Sequence, residues 1–176
     1  MKLSRRLRAS AKEFVKHFFA SRGYDLVRHT PRPQWPEETS RFEYQRLFNV
    51  FNIAPGSVVL DIGSGSYPFP LATILTDRYL ETTQHRSEKL VLDERPFLLS
   101  DIEHLPFGDK VIDFVYCSHV LEHVDNPLAA CSEIVRVGKR GYIETPTLAK
   151  DMLFNWAKGM HKWHVVSIAN NLIFFQ

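Results

Sequence analysis

Cysteine is nearly absent: Cys117 and Cys131 are the two in 176 residues. That is too few, and too unpatterned, for a disulfide framework, so buried thiols in a reducing compartment are expected. No run of about 18 apolar residues occurs, which removes a membrane-spanning helix from consideration. The amino-terminal segment is basic but has no continuous apolar stretch and no small-residue cleavage site, so a cytoplasmic location is expected. No Gly-Lys-Ser/Thr ending of a phosphate loop exists, so ATP hydrolysis by that device is unsupported. No internal repeat is found. What the chain does have is 44% hydrophobic residues, including 13 Phe, enough for one core and about one domain.

The net charge is +2, but it is unevenly placed. Residues 1–32 hold nine Lys/Arg against Glu13 and Asp25, a net +7, which leaves −5 on the rest. Within this head, residues 3–21 have the spacing of an amphipathic helix, with Leu3, Leu7, Ala11, Phe14, Val15, Phe18 and Phe19 on one face. Two readings stand: a helix packed on the domain, or an arm of residues 2–22 that makes weak contact with an anionic membrane surface. Nucleic acid fits less well, because the body is acidic and shows no recognised nucleic-acid-binding fold.

Three prolines in 29–39 mark an extended linker, which separates residues 1–39 from a domain over 40–176. Ser40-x-x-Glu43 predicts a capping box opening a helix to about Asn52, with Phe42, Leu47, Phe48 and Phe51 on its apolar face. Strands are predicted at about 57–62, 71–76, 97–100, 111–116 and 140–145. Asn126-Pro127 opens a helix that Gly138 stops, and another helix covers about 148–158. Val165–Ile168 and Leu172–Phe175, joined through Asn170-Asn171, predict an antiparallel hairpin. Strands alternating with helices define an α/β fold with a doubly wound, mostly parallel sheet. The chain stops on Leu-Ile-Phe-Phe-Gln, an ending compatible with truncation.

In such a sheet, ligands bind outside the carboxyl ends of the strands. Those ends present Asp61, Gly63, Ser64 and Gly65, then Asp77, then Asp101 and Ile102, then Ser118 and His119, then Glu144 and Thr145. Glycines let backbone approach a ligand, and a carboxylate after the second strand can accept ribose hydroxyls. The first loop reads Gly63-Ser64-Gly65-Ser66-Tyr67-Pro68. Proline stands where the dinucleotide fingerprint has its third small residue, which argues against NAD or FAD.

Val59-Leu60-Asp61-Ile62-Gly63-Ser64-Gly65 resembles motif I of class I S-adenosylmethionine-dependent methyltransferases. Leu105-Pro106-Phe107, Ile112-Asp113-Phe114-Val115 and Ser118-His119-Val120-Leu121-Glu122-His123-Val124 are similar to later motifs of the type 11 subfamily, in the same order. The similarity covers about residues 40–146. It implies a Rossmann-like methyltransferase fold, S-adenosyl-L-methionine as cofactor and methyl transfer to a small-molecule acceptor. It also implies that Asp61, Gly63 and Gly65 frame the methionine part, with Ser64 among the cofactor-binding residues, Asp77 the ribose, Asp101 and Ile102 the adenine, and Ser118 and His119 the inner edge. His119 is the candidate general base, since a near-neutral pKa suits proton removal. The chain departs from the family between Gly65 and Asp77, where twelve residues with Pro68 and Pro70 replace a full helix, so a shortened or missing first helix is expected.

Other readings of the same residues stand beside this one. A degenerate cofactor-binding or interaction module would keep the motifs without turnover. His119-Val-Leu-Glu122-His123 also matches H-x-x-E-H, an inverted zinc-peptidase pattern. It follows a buried strand and shows no third ligand, so no metal site is expected. His161-Lys-Trp163-His164 is either an interfacial aromatic cluster or part of a substrate pocket. Tyr44, Tyr67 and Arg41 are candidates to close over the cofactor.

Overall fold

The computed structural model describes residues 41–83, 86, 88–150, 159–169 and 171–176. The predicted basic helix and proline linker therefore lie outside the described residues, as does most of the helix expected over 148–158. Among the described residues the elements are α1 (Arg41–Arg46), β1 (Val59–Ile62), β2 (Ile74–Asp77), β3 (Phe97–Leu99), β4 (Phe114–Ser118), α2 (Pro127–Val137), β5 (Gly141–Glu144), β6 (His164–Ile168) and β7 (Asn171–Phe175).

β1 to β5 form one parallel sheet in the order β3-β2-β1-β4-β5. The order reverses between β1 and β4, so their carboxyl ends open the crevice of a doubly wound, Rossmann-like sheet. β6 and β7 pair antiparallel as a separate two-stranded sheet, joining Val165 to Phe174 and Ser167 to Leu172. The predicted hairpin is present, but it does not extend the main sheet.

β1 and β4 are buried throughout, because a parallel sheet is covered on both faces and so selects continuous apolar runs. Side chains alternate between two cores. Leu60, Ile62, Val115 and Cys117 pack on one face against Ala130, Ile134 and Val137 of α2. Val59, Leu75, Phe114 and Tyr116 pack on the other against Phe69 and Ala72, with Phe42 and Phe51 at its margin.

The expected loss of the first helix is observed: residues 63–73 contain no helical turn. An aromatic wedge covers that face instead. Phe69 is fully buried and stacks on Tyr116 with ring centroids 4.0 Å apart and planes at 7°. Phe42 and Phe51 meet its edge at 5.4 and 5.2 Å. Arg95 holds the loop from outside, donating from Nη1 to the Phe69 carbonyl at 2.9 Å.

Several predicted boundaries shift for physical reasons. β2 begins at Ile74 rather than 71, because Ala72 donates its N–H back to the Phe69 carbonyl and the chain turns beneath the sheet. β4 begins at Phe114 rather than 111. Lys110 has φ +55, and Ile112 makes only an isolated bridge to Gly138, so the ladder cannot start earlier. α1 ends at Arg46 rather than Asn52. Asn52 leaves the helical path with φ +49, and Phe51 reaches the aromatic core while Leu47 and Phe48 stay exposed.

α2 matches its predicted bounds. Asn126 caps it by accepting the Ala129 N–H at 3.1 Å, and Pro127 takes the first turn. Gly138 stops the helix in an extended conformation, φ −95. Its lack of a side chain serves packing: a Cβ there would stand 2.7 Å from Val115 Cγ2.

Candidate functional site

The carboxyl ends of β1, β2, β3 and β4 open onto one cavity of about 330 Å³, the size of a small-molecule site. Gly63, Ser64, Gly65, Asp77, Asp101, Ile102, Ser118 and His119 all line it. These residues come from four separate segments, brought together by the parallel register.

Asp61 is not on the wall. It points into the aromatic core, 2% exposed, and its Oδ2 accepts the Phe69 N–H at 2.7 Å. Burial, the largest influence, lifts its carboxyl to about 7, against the opposing effects of the Phe69 N–H and of Arg95 and Arg41. Asp61 therefore anchors the loop that carries the glycines, where direct contact with the methionine part was expected. The alternation of β1 explains this: Ile62 and Asp61 must face opposite sides of the sheet.

The glycine loop crosses over the end of β2. Ser64 donates its N–H to the Thr76 carbonyl at 2.9 Å, and Gly65 donates to Asp77 Oδ2 at 3.1 Å. Gly63 has φ +71, and a Cβ on it would lie 2.5 Å from Val120 Cγ2. Glycine is thus required both for the turn and for contact with the segment after β4.

Asp77 also accepts the Tyr79 N–H through Oδ1 at 2.9 Å and faces Arg86 Nη1 at 3.8 Å. A carboxylate offers about four acceptor directions, so two N–H bonds leave capacity for ligand hydroxyls. Asp101 accepts the Glu103 N–H at 3.0 Å and pairs with Arg78 Nε at 3.2 Å.

His119 takes the left-handed conformation, φ +58, which costs a residue with a Cβ about 1 kcal/mol or more and tends to collect at functional sites. Its N–H donates to the Glu144 carbonyl at 2.8 Å, and its Nδ1 stands 3.2 Å from Glu122 Oε1. Glu122 is 1% exposed. The H-x-x-E-H residues occupy a turn after β4 rather than a helix, so its two histidines do not share the helical face that the peptidase pattern requires.

Four buried polar atoms on the wall have no hydrogen-bond partner in the described chain: Ser64 Oγ, Arg86 Nη1, Ser100 Oγ and Glu122 Oε2. Such atoms are costly unless a ligand or solvent meets them.

Sequence reasoning missed two features, Arg86 and the Gln45 network, and left His161 and Lys162 open between an interfacial cluster and a substrate pocket. Arg86 enters the wall from a polar loop, closed by a Thr83–Arg86 bridge, with its Nη2 donating to the Tyr79 and Glu81 carbonyls at 2.7 Å. No periodic pattern marks it. Gln45, on the polar side of the predicted α1, is buried. It donates to the Tyr116 hydroxyl at 2.8 Å and to Glu144, which also accepts from Ser118 Oγ at 3.3 Å. Glu144 thus serves a polar network beside the cavity. His161 and Lys162 reach the wall from more than 40 residues beyond β4, which ends at Ser118, whereas Trp163 packs on the core and donates to the Val124 carbonyl at 3.0 Å. Arg41 and Tyr67 line the cavity, but Tyr44 turns away to contact Phe48 at 5.3 Å. Cys117 is fully buried, and that burial pushes its thiol well above the usual range, so it is inert at neutral pH.

Parallel sheet, switch-point crevice and glycine loop define a Rossmann-like α/β domain. Residues 60–143, from β1 to β5, match the family described as "Methyltransferase domain", Methyltransf_11. The match spans just under half of the 176-residue chain, so this segment is similar to that family. A curated relative, "Uncharacterized protein MJ0638" of Methanocaldococcus jannaschii, is 34% identical over 127 residues, which cover 68% of this chain and 56% of the relative. The chain thus spans just over half the length of the curated relative it matches. Among solved structures, a chain of the "Complex between the Haloferax volcanii Trm112 methyltransferase activator and the putative methyltransferase" is 16% identical, covers 66% of each chain and superposes with a TM-score of 0.43.

Proposed function

We propose that this domain binds S-adenosyl-L-methionine in the cavity and directs its methyl group to a small-molecule acceptor. The observation that carries the reading is the convergence of eight predicted site residues, from four separate segments, on one cavity. When bound, the cofactor supplies an already activated sulfonium methyl. The protein's own task is then positioning and exclusion of water.

In this reading Gly63, Ser64 and Gly65 admit the amino-acid end, Asp77 accepts ribose hydroxyls, and Asp101 with Ile102 holds the adenine edge. Ser118 and His119 form the inner wall. The Glu122 carboxylate fixes a proton on His119 Nδ1, which leaves Nε2 as the acceptor for a proton from the acceptor molecule. A cytoplasmic location and contact of residues 2–22 with anionic membrane surface belong to the same proposal and rest on composition and charge alone.

Titration calorimetry of the full chain with S-adenosyl-L-methionine tests the reading. Saturable binding is expected, weakened at least tenfold by Asp77→Asn. No binding by a folded chain sinks the proposal. Binding without turnover across a broad acceptor panel would favour an interaction module instead.

A further inference from the structure

At one edge of the cavity Glu122, His123 and His161 each place a ligand atom within 4.8 Å of the others. We propose that these three side chains hold a divalent transition-metal ion at the cavity wall. The inference is independent of the methyl-transfer reading.

The donor set argues for it first. Two imidazoles and one carboxylate suit zinc and its neighbours in the first transition row, whereas magnesium and calcium prefer oxygen ligands alone.

The protonation pattern argues for it second. His123 Nδ1 lies 3.0 Å from the Met160 carbonyl oxygen, which can only accept, so the ring carries its proton on Nδ1. That leaves the Nε2 lone pair facing Glu122 Oε1 at 3.9 Å. A carbonyl behind the ring is the usual way a protein orients a metal-binding histidine.

The third argument is Glu122 itself. Its carboxylate is 1% exposed, its Oε1 meets His119, and its Oε2 has no hydrogen-bond partner. A buried carboxylate oxygen with nothing to accept is unfavourable by itself. A cation bound by this carboxylate would offset the cost of its burial.

The segment at 160–162 brings in the third ligand. Lys162 and Trp163 both donate their N–H groups to the Glu122 carbonyl, at 2.8 and 3.1 Å. His161 is thereby fixed beside His123, with ring centroids 4.9 Å apart. Metal–ligand bonds of about 2.0–2.2 Å require the ligand atoms to draw together by roughly an ångström, a rotamer adjustment for the two half-buried histidines. Three protein ligands leave a coordination position open, and all three residues line the cavity. The position is thus available to an oxygen or nitrogen of a molecule bound there.

The test uses the full chain, stripped with chelator and titrated with Zn²⁺ by calorimetry and with Co²⁺ by visible absorption. One equivalent of Zn²⁺ is expected, with Co²⁺ giving d–d bands that Zn²⁺ abolishes and excess Mg²⁺ does not. Losing only an outer partner of a metal ligand commonly costs 10–100-fold in affinity. His161→Ala and, separately, His123→Ala should each weaken Zn²⁺ binding at least tenfold. His104→Ala, exposed and outside the cavity wall, should leave it unchanged. Circular dichroism of the metal-free variants identifies any that fail to fold, and the other variant then decides. Failure of wild type to bind one equivalent, equal binding by folded variants and wild type, or equal competition by Mg²⁺ would overturn the proposal.

Discussion

Replacing Asp61 with Asn should change how stability depends on pH more than it changes stability at any one pH. Asp61 is 2% exposed and has its carboxyl raised from an ordinary 3.8 to about 7, with burial as the leading cause. A folded-state pKa above the unfolded value means that the fold favours the protonated form. The contribution is fully present below about pH 4, declines as pH rises toward 7, and levels off above that. Three units correspond to about 4 kcal/mol, of which about 2–3 kcal/mol is lost between pH 5 and 8.

Asn keeps an acceptor for the Phe69 N–H and carries no charge. Its NH₂ group adds a penalty, but that penalty is the same at every pH. Asp113, Asp125 and Glu133, whose carboxyls are held low by Lys139, Lys162 and Arg136 respectively, give the opposite trend and are common to both proteins. The difference in Tm between variant and wild type therefore isolates Asp61. At about 2–4 °C per kcal/mol for a chain of this size, it should move in favour of Asn by roughly 5–10 °C from pH 5 to pH 8. Scanning fluorimetry at several pH values measures it. A difference that stays flat across that range would refute the reasoning and show the carboxyl to be ionised at little cost.

Other perturbations act on neighbouring parts of the same construction. Phe69→Ala removes the wedge stacked on Tyr116 and should cost about 3–5 kcal/mol in denaturant unfolding; a loss below 1 kcal/mol would mean the loop does not cover this face. Gly63→Ala forces a Cβ onto Val120 at a left-handed position, so both Tm and cofactor affinity should fall, and an unchanged affinity would detach the loop from binding. Asp101→Asn should weaken S-adenosyl-L-methionine binding about tenfold or more, the worth of a hydrogen bond to a charged group, with the same Tm. A peptide of residues 2–22 should bind anionic vesicles weakly and lose binding as salt rises; salt-insensitive binding would count against the electrostatic reading.

The parts of this fold that could be read in advance are those where one residue's environment follows from its own strand. β1 and β4 are fully buried and mainly apolar because both faces of the sheet are covered, and the residues at and just beyond their carboxyl ends, Gly63 and Ser118 among them, announce the crevice. Asn126-Pro127 states the start of α2 in local chemistry alone. The parts that could not be read depend on partners far away in sequence. Gln45 looks like a solvated helix residue until Tyr116, 71 positions on, meets it. Arg86 sits in a polar loop whose only signal is charge. His161 becomes a neighbour of His123 only because Glu122 accepts the backbone of the segment that follows it. Asp61 was placed at the right strand end but on the wrong side, since a motif preserves spacing and does not say which face a side chain takes.

The missing first helix bears on which ligand the cavity can serve. A helix opening directly after a glycine loop presents free N–H groups and the positive end of its dipole to a phosphate. Here Tyr67-Pro68-Phe69-Pro70 gives up that end and spends the same residues on packing, with Phe69 filling the space beneath β1 and β4. A dinucleotide would lose its pyrophosphate site by this exchange. A nucleoside that carries a sulfonium in place of phosphate would lose little, because its charge is positive and its recognition falls to carboxylates, and Asp77 and Asp101 both stand on the wall. The wedge and the acidic strand ends thus favour the same kind of guest for separate reasons, one by removing an anion site and the other by supplying acceptors.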